Sequence, residues 1–126
     1  MNSKRKGTAG ELAAVKFLKE CGFPDARRTH QYAGNNGDSD VVCPNWLPGV
    51  HIECKRNEDI DIGKAAWHRA INQAQEECGD KEWCVLWRKN RGSWRLTYQD
   101  VHRVVTVDED LIGDTLRWLN EGEEDA

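Results

Sequence analysis

The sequence that decides the fold reads Gly-Asp-Ser-Asp-Val-Val at residues 37–42 and, after a turn at 44–49, Val-His-Ile-Glu-Cys-Lys at residues 50–55. The second stretch alternates apolar and polar residues, which is the pattern of a strand with one face towards the core. Residues 38–43 are also predicted to form a strand, because this short run contains Val41 and Val42 and ends before Pro44. We therefore expect two neighbouring strands joined by a turn.

Acidic and basic residues share one face of these two strands. Alternation places His51, Glu53 and Lys55 together, and it places Asp38 and Asp40 together. If the strands pair, Asp40 and Glu53 converge. Paired carboxylates suit Mg²⁺, which can activate a water for attack on phosphorus, and a neighbouring ammonium group can stabilise the charge on the phosphate. The alternative is an ordinary cross-strand ion pair on an exposed sheet face.

The rest of the chain predicts helices and strands in alternation. Residues 1–7 are expected to form a flexible basic arm and residues 121–126 a frayed acidic tail. Between them we predict helices at 8–21, 63–78 and 108–120, and further strands at 82–88 and 93–98. This order indicates a single α/β domain over residues 1–126, with a mixed sheet flanked by helices.

Glu11 has two possible roles in the first helix. It shares a face with the apolar residues Ala14, Val15 and Leu18, so its carboxylate is expected to point towards the sheet. Alternatively, Thr8 is the N-cap of the helix and Glu11, three residues later, completes a capping box. A capping carboxylate turns back towards its own backbone, so the two roles are only partly compatible.

The charge of the chain is unevenly distributed. The net charge is −4, from 18 basic and 22 acidic residues, but residues 108–126 hold eight of the acids and a single base. The remaining 107 residues carry 17 bases and 14 acids, a net charge of +3. A locally basic body with an acidic tail is compatible with phosphate binding on one face, and equally with an ordinary solvated surface.

Cysteine number and hydropathy exclude several classes of protein. The five cysteines are odd in number and include no Cys-x-x-Cys pair, so neither a disulfide framework nor a zinc ribbon is expected. No apolar run is long enough to span a membrane, and no apolar run follows the basic N-terminus as it does in a secretory signal. We expect free thiols in a reducing cytoplasm.

Several motifs together resemble a known family. The run 37–42, followed by Leu-Pro-Gly-Val-His-Ile-Glu-Cys-Lys-Arg at 47–56, resembles the PD-(D/E)XK nuclease signature and looks most like phage-encoded endonucleases of the Holliday junction resolvase type. The opening Lys4-Arg5-Lys6-Gly7 followed by Glu11 is similar to the start of archaeal resolvases. Gln73-Ala74 resembles the motif on the family's second helix, and residues 92–94 resemble a later stretch of the family. The resemblance covers residues 3–98. Ser39 stands where the family name has proline.

The resemblance implies a restriction-endonuclease-like α-β-β-β-α-β core and a set of site residues. It implies Asp40 and Glu53 as ligands of Mg²⁺ or Mn²⁺, Lys55 as the catalytic lysine, Glu11 as a further acid near the metal, and Gln73 as a residue that holds the site or the DNA. Basic residues that flank these positions in the sequence are expected to contact the DNA backbone: Lys4, Arg5, Lys6, Arg27, Arg28, Arg56, Arg88 and Arg91.

The resemblance further implies an endonuclease that acts on branched DNA, above all on four-way junctions, in the cytosol of a phage-infected or bacterial cell. A homodimer is expected because two symmetric strand cuts need two active sites, and no small-molecule cofactor is expected. The alternatives are a flap or duplex-end nuclease, a DNA-binding module of this fold that has lost catalysis, and a purely structural protein. The presence of Glu11, Asp40, Glu53 and Lys55 together argues against loss of catalysis.

Overall fold

The structure is a computed structural model that describes residues 3–29 and 40–122, with the backbone alone for residues 3–7. Its elements are α1 (Ser3–Glu20), β1 (Arg27–Arg28), β2 (Val41–Val42), β3 (Val50–Arg56), α2 (Ala65–Glu77), β4 (Glu82–Arg88), β5 (Arg95–Asp100), β6 (Arg103–Asp108) and, after a 3₁₀ turn at Glu109–Leu111, α3 (Ile112–Glu121).

Within residues 3–29 and 40–122, six strands form one mixed sheet in the order of the sequence, β1 to β6. Strands β3 and β4 are parallel and are connected through α2, whereas all other neighbouring pairs are antiparallel. A parallel pair needs a long crossover connection, which the helix supplies. The predicted α/β fold with a mixed sheet flanked by helices is therefore confirmed.

The two faces of the sheet carry separate cores. Alternate residues of β4 divide between them, because Cys84 and Leu86 join the larger core with α1 and α3, whereas Trp83, Val85 and Trp87 join the smaller core with α2. A strand covered on both faces is expected to read as a continuous apolar run, as residues 83–87 do. Strand β3 lies beside it, so its polar face is turned towards α2, which covers His51 and Glu53 but leaves Lys55 exposed.

The first helix begins five residues earlier than predicted. Residues 3–7 are part of α1 and do not form a flexible arm, and Thr8 lies inside the helix, where it cannot be the N-cap. The capping box with Glu11 is therefore wrong. Serine and basic residues at 3–6 do not interrupt a helix, and the single glycine at position 7 is tolerated at a modest cost.

Strand β6 was not predicted from the sequence, although residues 103–107 include three valines and a threonine. The turn before it lacks the usual signal, because Val101 adopts a positive φ of 56° that normally favours glycine or asparagine.

The predicted strand at 93–98 is shifted to 95–100, and the helix predicted from Asp108 begins with the 3₁₀ turn instead. The Asp108 side chain makes no capping hydrogen bond. Of the predicted strand 38–43, residues 38 and 39 lie outside the described residues.

Other sequence expectations concern thiols and membranes. All five cysteines are free, and Cys43 and Cys84 are buried. In residues 3–29 and 40–122, no helix is long and apolar enough to cross a membrane.

Candidate active site

The pairing of β2 with β3 positions the two acids singled out in the sequence. Val41 pairs with Ile52 in antiparallel register, so Asp40 comes opposite Glu53. The backbone N–H of Asp40 donates to the carbonyl oxygen of Ile52 at 3.2 Å. In addition, Asp40 Oδ2 accepts a hydrogen bond of 3.0 Å from the backbone N–H of Cys54. The Asp40 carboxylate is thus fixed against β3, next to Glu53.

Glu53 is a buried acid among other acids. Its exposed fraction is 4%. Burial is the main cause that raises the pKa of Glu53, and the neighbouring carboxyls of Asp40 and Glu77 raise it further, to about 10. These causes favour the protonated form of Glu53 when no cation is bound. A divalent cation placed among these carboxyls would offset the repulsion that keeps the proton there.

Glu11 faces the cleft from α1 and is held by an arginine. Arg28 Nε donates to Glu11 Oε1 at 2.9 Å, and another guanidinium nitrogen of Arg28 lies 3.4 Å from Thr8 Oγ1. Burial raises the pKa of Glu11, the hydrogen bond from Arg28 lowers it, and the charge of Asp40 raises it, with a net increase. Of the two roles considered for Glu11, the position that points towards the sheet is the observed one.

A cleft of about 510 Å³ brings the predicted catalytic residues together. Its walls are formed by the end of β2, by β3, by α1 near Gly10 and by one side of α2. The predicted catalytic residues among those that line it are Glu11, Asp40, Glu53, Lys55 and Gln73. Lys55 follows Glu53 by two residues on the same face of β3, and it is exposed to solvent.

Two residues at the back of the cleft complete a group that sequence reasoning found only in part. His51 Nε2 lies 2.8 Å from Glu53 Oε1, and both side chains are almost fully buried. Glu77, at the end of α2, accepts a hydrogen bond of 3.3 Å from Gln73 Nε2. One ligand atom from each of His51, Glu53 and Glu77 lies within 4.8 Å of the other two. Glu77 was missed, although its spacing of four residues from Gln73 places both on one helix face.

Some of the predicted DNA-contacting residues lie at the cleft. Arg56 lines it, with Nε 3.3 Å from Asn90 Oδ1, and Arg28 adjoins it through Glu11. Arg69 of α2 also lines the cleft and was missed by sequence reasoning. It is exposed and follows Ala66 by three residues, so its position on the face that borders the cleft could have been anticipated.

Other predicted DNA-contacting residues lie elsewhere. Arg27 lines a separate cavity of about 420 Å³ that includes Lys81, as expected for a neighbour of Arg28 on a strand. The Arg88 guanidinium packs 4.9 Å from the centre of the Trp94 ring. Arg91 is exposed in the turn after β4, with a positive φ of 65°. The side chains of residues 4–6 lie outside the described part of the chain.

Comparison with known proteins identifies a shared fold. No protein-family model and no curated protein matches this sequence. Among solved structures, the chain is similar to Hjc, a Holliday junction resolvase from the archaeal hyperthermophile Archaeoglobus fulgidus. The TM-score is 0.56 and the sequences are 19% identical, over 86% of this chain and 98% of that chain. The restriction-endonuclease-like α/β fold that the resemblance implies is thus confirmed.

Proposed function

We propose that this protein is a metal-dependent DNA endonuclease that hydrolyses phosphodiester bonds in branched DNA. The observation that carries the proposal is the arrangement of Asp40 opposite Glu53 across paired strands, with Lys55 and Glu11 on the same cleft. These side chains, held by β3, by the residue before β2 and by α1, provide acidic oxygens for a cation and a positive charge for a phosphate. The shared fold with a resolvase supports the same reaction class by analogy.

The side chains of the cleft fit Mg²⁺ or Mn²⁺. Asp40 and Glu53 would hold the cation, with Glu11 close to it, because hard divalent cations take carboxylate oxygens. The convergence of the Asp40 and Glu77 carboxyls on the buried Glu53 is the feature that a cation would relieve. When bound, the cation supplies Lewis acidity towards the phosphate and acidifies a water molecule.

Lys55, Gln73 and Glu11 each have a proposed part in the reaction. Lys55 is exposed on the catalytic face of β3, where its ammonium group can stabilise negative charge that develops on the scissile phosphate. Gln73 is neutral and polar, and it holds Glu77 while it lines the cleft. The ion pair with Arg28 keeps Glu11 in one position, so that its second carboxylate oxygen can orient a water or the cation.

The proposed partner is DNA, and the proposed assembly is a homodimer. Lys55, Arg56 and Arg69 are exposed around the cleft and can contact backbone phosphates, which position DNA without reading its sequence. Branched DNA is the proposed substrate because the structurally similar Hjc is a Holliday junction resolvase. A two-fold dimer would present two clefts to the two strands cut in such a junction.

The proposal is tested with end-labelled four-way junctions, flaps and linear duplexes of the same sequence, incubated with Mg²⁺ or with a chelator. We expect Mg²⁺-dependent cleavage of the junction in preference to the others. Preferred cleavage of flaps or duplex ends would refute the proposed substrate but support the proposed nuclease activity. Binding of the junction without cleavage of any substrate in Mg²⁺ or Mn²⁺ would refute the enzyme and favour a DNA-binding module.

A further inference from the structure

The back of the cleft holds a group of three side chains, of which the proposed reaction uses Glu53 alone as a cation ligand. His51, Glu53 and Glu77 come from β3 and from the end of α2, and their ligand atoms lie within 4.8 Å of one another. Ligands of an octahedral cation at about 2.1 Å lie about 3 Å apart in adjacent positions and about 4 Å apart in opposite positions. The three side chains therefore need only small movements to share a cation.

The depth of this group argues against an ordinary surface ion pair. The His51 side chain is 1% exposed and the Glu53 side chain 5% exposed, and Nε2 and Oε1 are 2.8 Å apart. Within the described residues, His51 is the basic residue that lies within 4 Å of a Glu53 carboxylate oxygen. Because Asp40 and Glu77 also adjoin Glu53, three carboxyls converge there beside a single imidazole. A buried group of this composition requires either protons or a cation for charge balance.

The group adjoins the cleft through Glu53. Glu77 is half-buried at the end of α2, and Glu53 lines the cleft while His51 lies behind it. A cation that reaches Glu53 from the cleft would therefore also come near His51 and Glu77, and any proton held between His51 Nε2 and Glu53 Oε1 would be released to solvent.

We propose that His51, Glu53 and Glu77 form a second, inner cation site that selects a first-row transition metal such as Mn²⁺ over Mg²⁺. The imidazole nitrogen is the reason for the selectivity, because it suits transition metals, whereas Mg²⁺ favours oxygen ligands alone. The proposal rests on the proposed function in one respect, since Glu53 would then be shared with the cation held by Asp40. Carboxylates that bridge two cations about 4 Å apart occur in phosphodiester-cleaving enzymes.

The inner site is tested by pulsed electron paramagnetic resonance of Mn²⁺ added to the full-length protein without DNA. A directly bound imidazole nitrogen gives a hyperfine coupling to the Mn²⁺ electron spins. We expect this coupling in the wild type, its loss in His51→Gln and in Glu77→Gln, and its retention in His102→Gln, a matched control in the exposed turn between β5 and β6. It should also persist with about a tenfold excess of Mg²⁺.

Three results would overturn the inner site: no nitrogen coupling in the wild type, coupling that survives in folded His51→Gln, or coupling lost to equimolar Mg²⁺. Glu77→Gln provides an independent test if His51→Gln fails to fold, because Glu77 is only half-buried. The proposed function is separated from this outcome by the cleavage assay. Cleavage without nitrogen coupling would refute the inner site and support the nuclease activity. Nitrogen coupling without cleavage in any metal would support the inner site and refute the nuclease activity.

Discussion

Replacement of Glu53 by glutamine is predicted to change how stability depends on pH. Burial and the adjacent Asp40 and Glu77 carboxyls raise the pKa of Glu53 to about 10 in the folded, metal-free protein, whereas the unfolded chain has a glutamate pKa of about 4.3. Between these values the folded state binds one more proton than the unfolded state, so stability falls as pH rises. The slope for one proton is about 1.4 kcal/mol per pH unit.

From pH 6 to pH 8, the free energy of unfolding of the wild type should therefore fall by up to about 3 kcal/mol more than that of Glu53→Gln. Glutamine resembles the protonated carboxyl in shape and cannot ionise, so it removes this dependence. The assay is urea unfolding in a chelating buffer at pH 6, 7 and 8, followed by the fluorescence of the six tryptophans. Glu121→Gln, at the exposed end of α3, is the matched control and should follow the wild type.

Equal slopes in the wild type and Glu53→Gln would refute this account, since Glu53 would then be ionised in the folded protein, with His51 as its counter-ion. A further arm uses saturating Mg²⁺. Cation and proton compete for the same carboxyl, so Mg²⁺ should flatten the pH dependence of the wild type and raise its stability most at pH 8.

The remaining predictions concern catalysis, metal preference, the core and the tail. Lys55→Ala should slow single-turnover cleavage by roughly 100-fold or more. Its affinity for the junction, measured by fluorescence anisotropy, should change little because many basic side chains contribute to DNA binding. Cleavage at the normal rate would show that Lys55 is not the catalytic lysine. Ca²⁺ should support junction binding with little cleavage in the same assays, and efficient cleavage in Ca²⁺ would contradict this. Thr97→Val removes the hydroxyl that accepts hydrogen bonds from the indole N–H groups of Trp67 and Trp87, at 3.1 and 2.8 Å. The free energy of unfolding, measured in urea, should fall by about 1–3 kcal/mol for each N–H group left without an acceptor. An unchanged midpoint would show that these hydrogen bonds do not stabilise the protein. Deletion of residues 121–126 should leave cleavage intact, and a large loss of rate would place the tail at the site.

The strands that carry the site were predictable because the information is local. Alternation in residues 50–55 fixed which side chains share a face. The short connection to residues 38–43 made pairing of the two strands the simplest arrangement, and the observed register brings Asp40 opposite Glu53. The Glu-x-Lys spacing then placed Lys55 beside the acids without any knowledge of the rest of the fold.

The parts that failed depend on contacts between distant residues or on unusual backbone. The Thr8–Glu11 pattern matched a capping box, but a tertiary ion pair with Arg28 holds Glu11 instead, inside a longer helix. The contact of Glu77 with His51 and Glu53 joins the end of α2 to a different element, and the spacing from Gln73 alone does not show which strand residues that helix face meets. Strand β6 was missed because Val101 forms its turn in a conformation that sequence rules assign to glycine or asparagine.

The burial of the proposed catalytic face could not be predicted from the sequence either. Residues 50–55 were predicted as a half-buried strand, whereas Val50 to Glu53 are all buried because α2 covers the face that carries His51 and Glu53. That cover is what raises the pKa of Glu53 and encloses the back of the cleft. It follows from how α2 connects two parallel strands, a property of the whole sheet.

The proposed metal centre is tested most directly by single-turnover cleavage of a labelled four-way junction with saturating Mg²⁺. The assay compares the wild type, Asp40→Asn and the control Asp110→Asn, whose acid is exposed in the 3₁₀ turn. Circular dichroism establishes that each variant is folded. We predict that the wild type and Asp110→Asn cut at similar rates and that Asp40→Asn is slower by roughly 100-fold or more, because a cation ligand is lost. Cleavage by folded Asp40→Asn at the wild-type rate would contradict the assignment of Asp40 and Glu53 as the centre of the site.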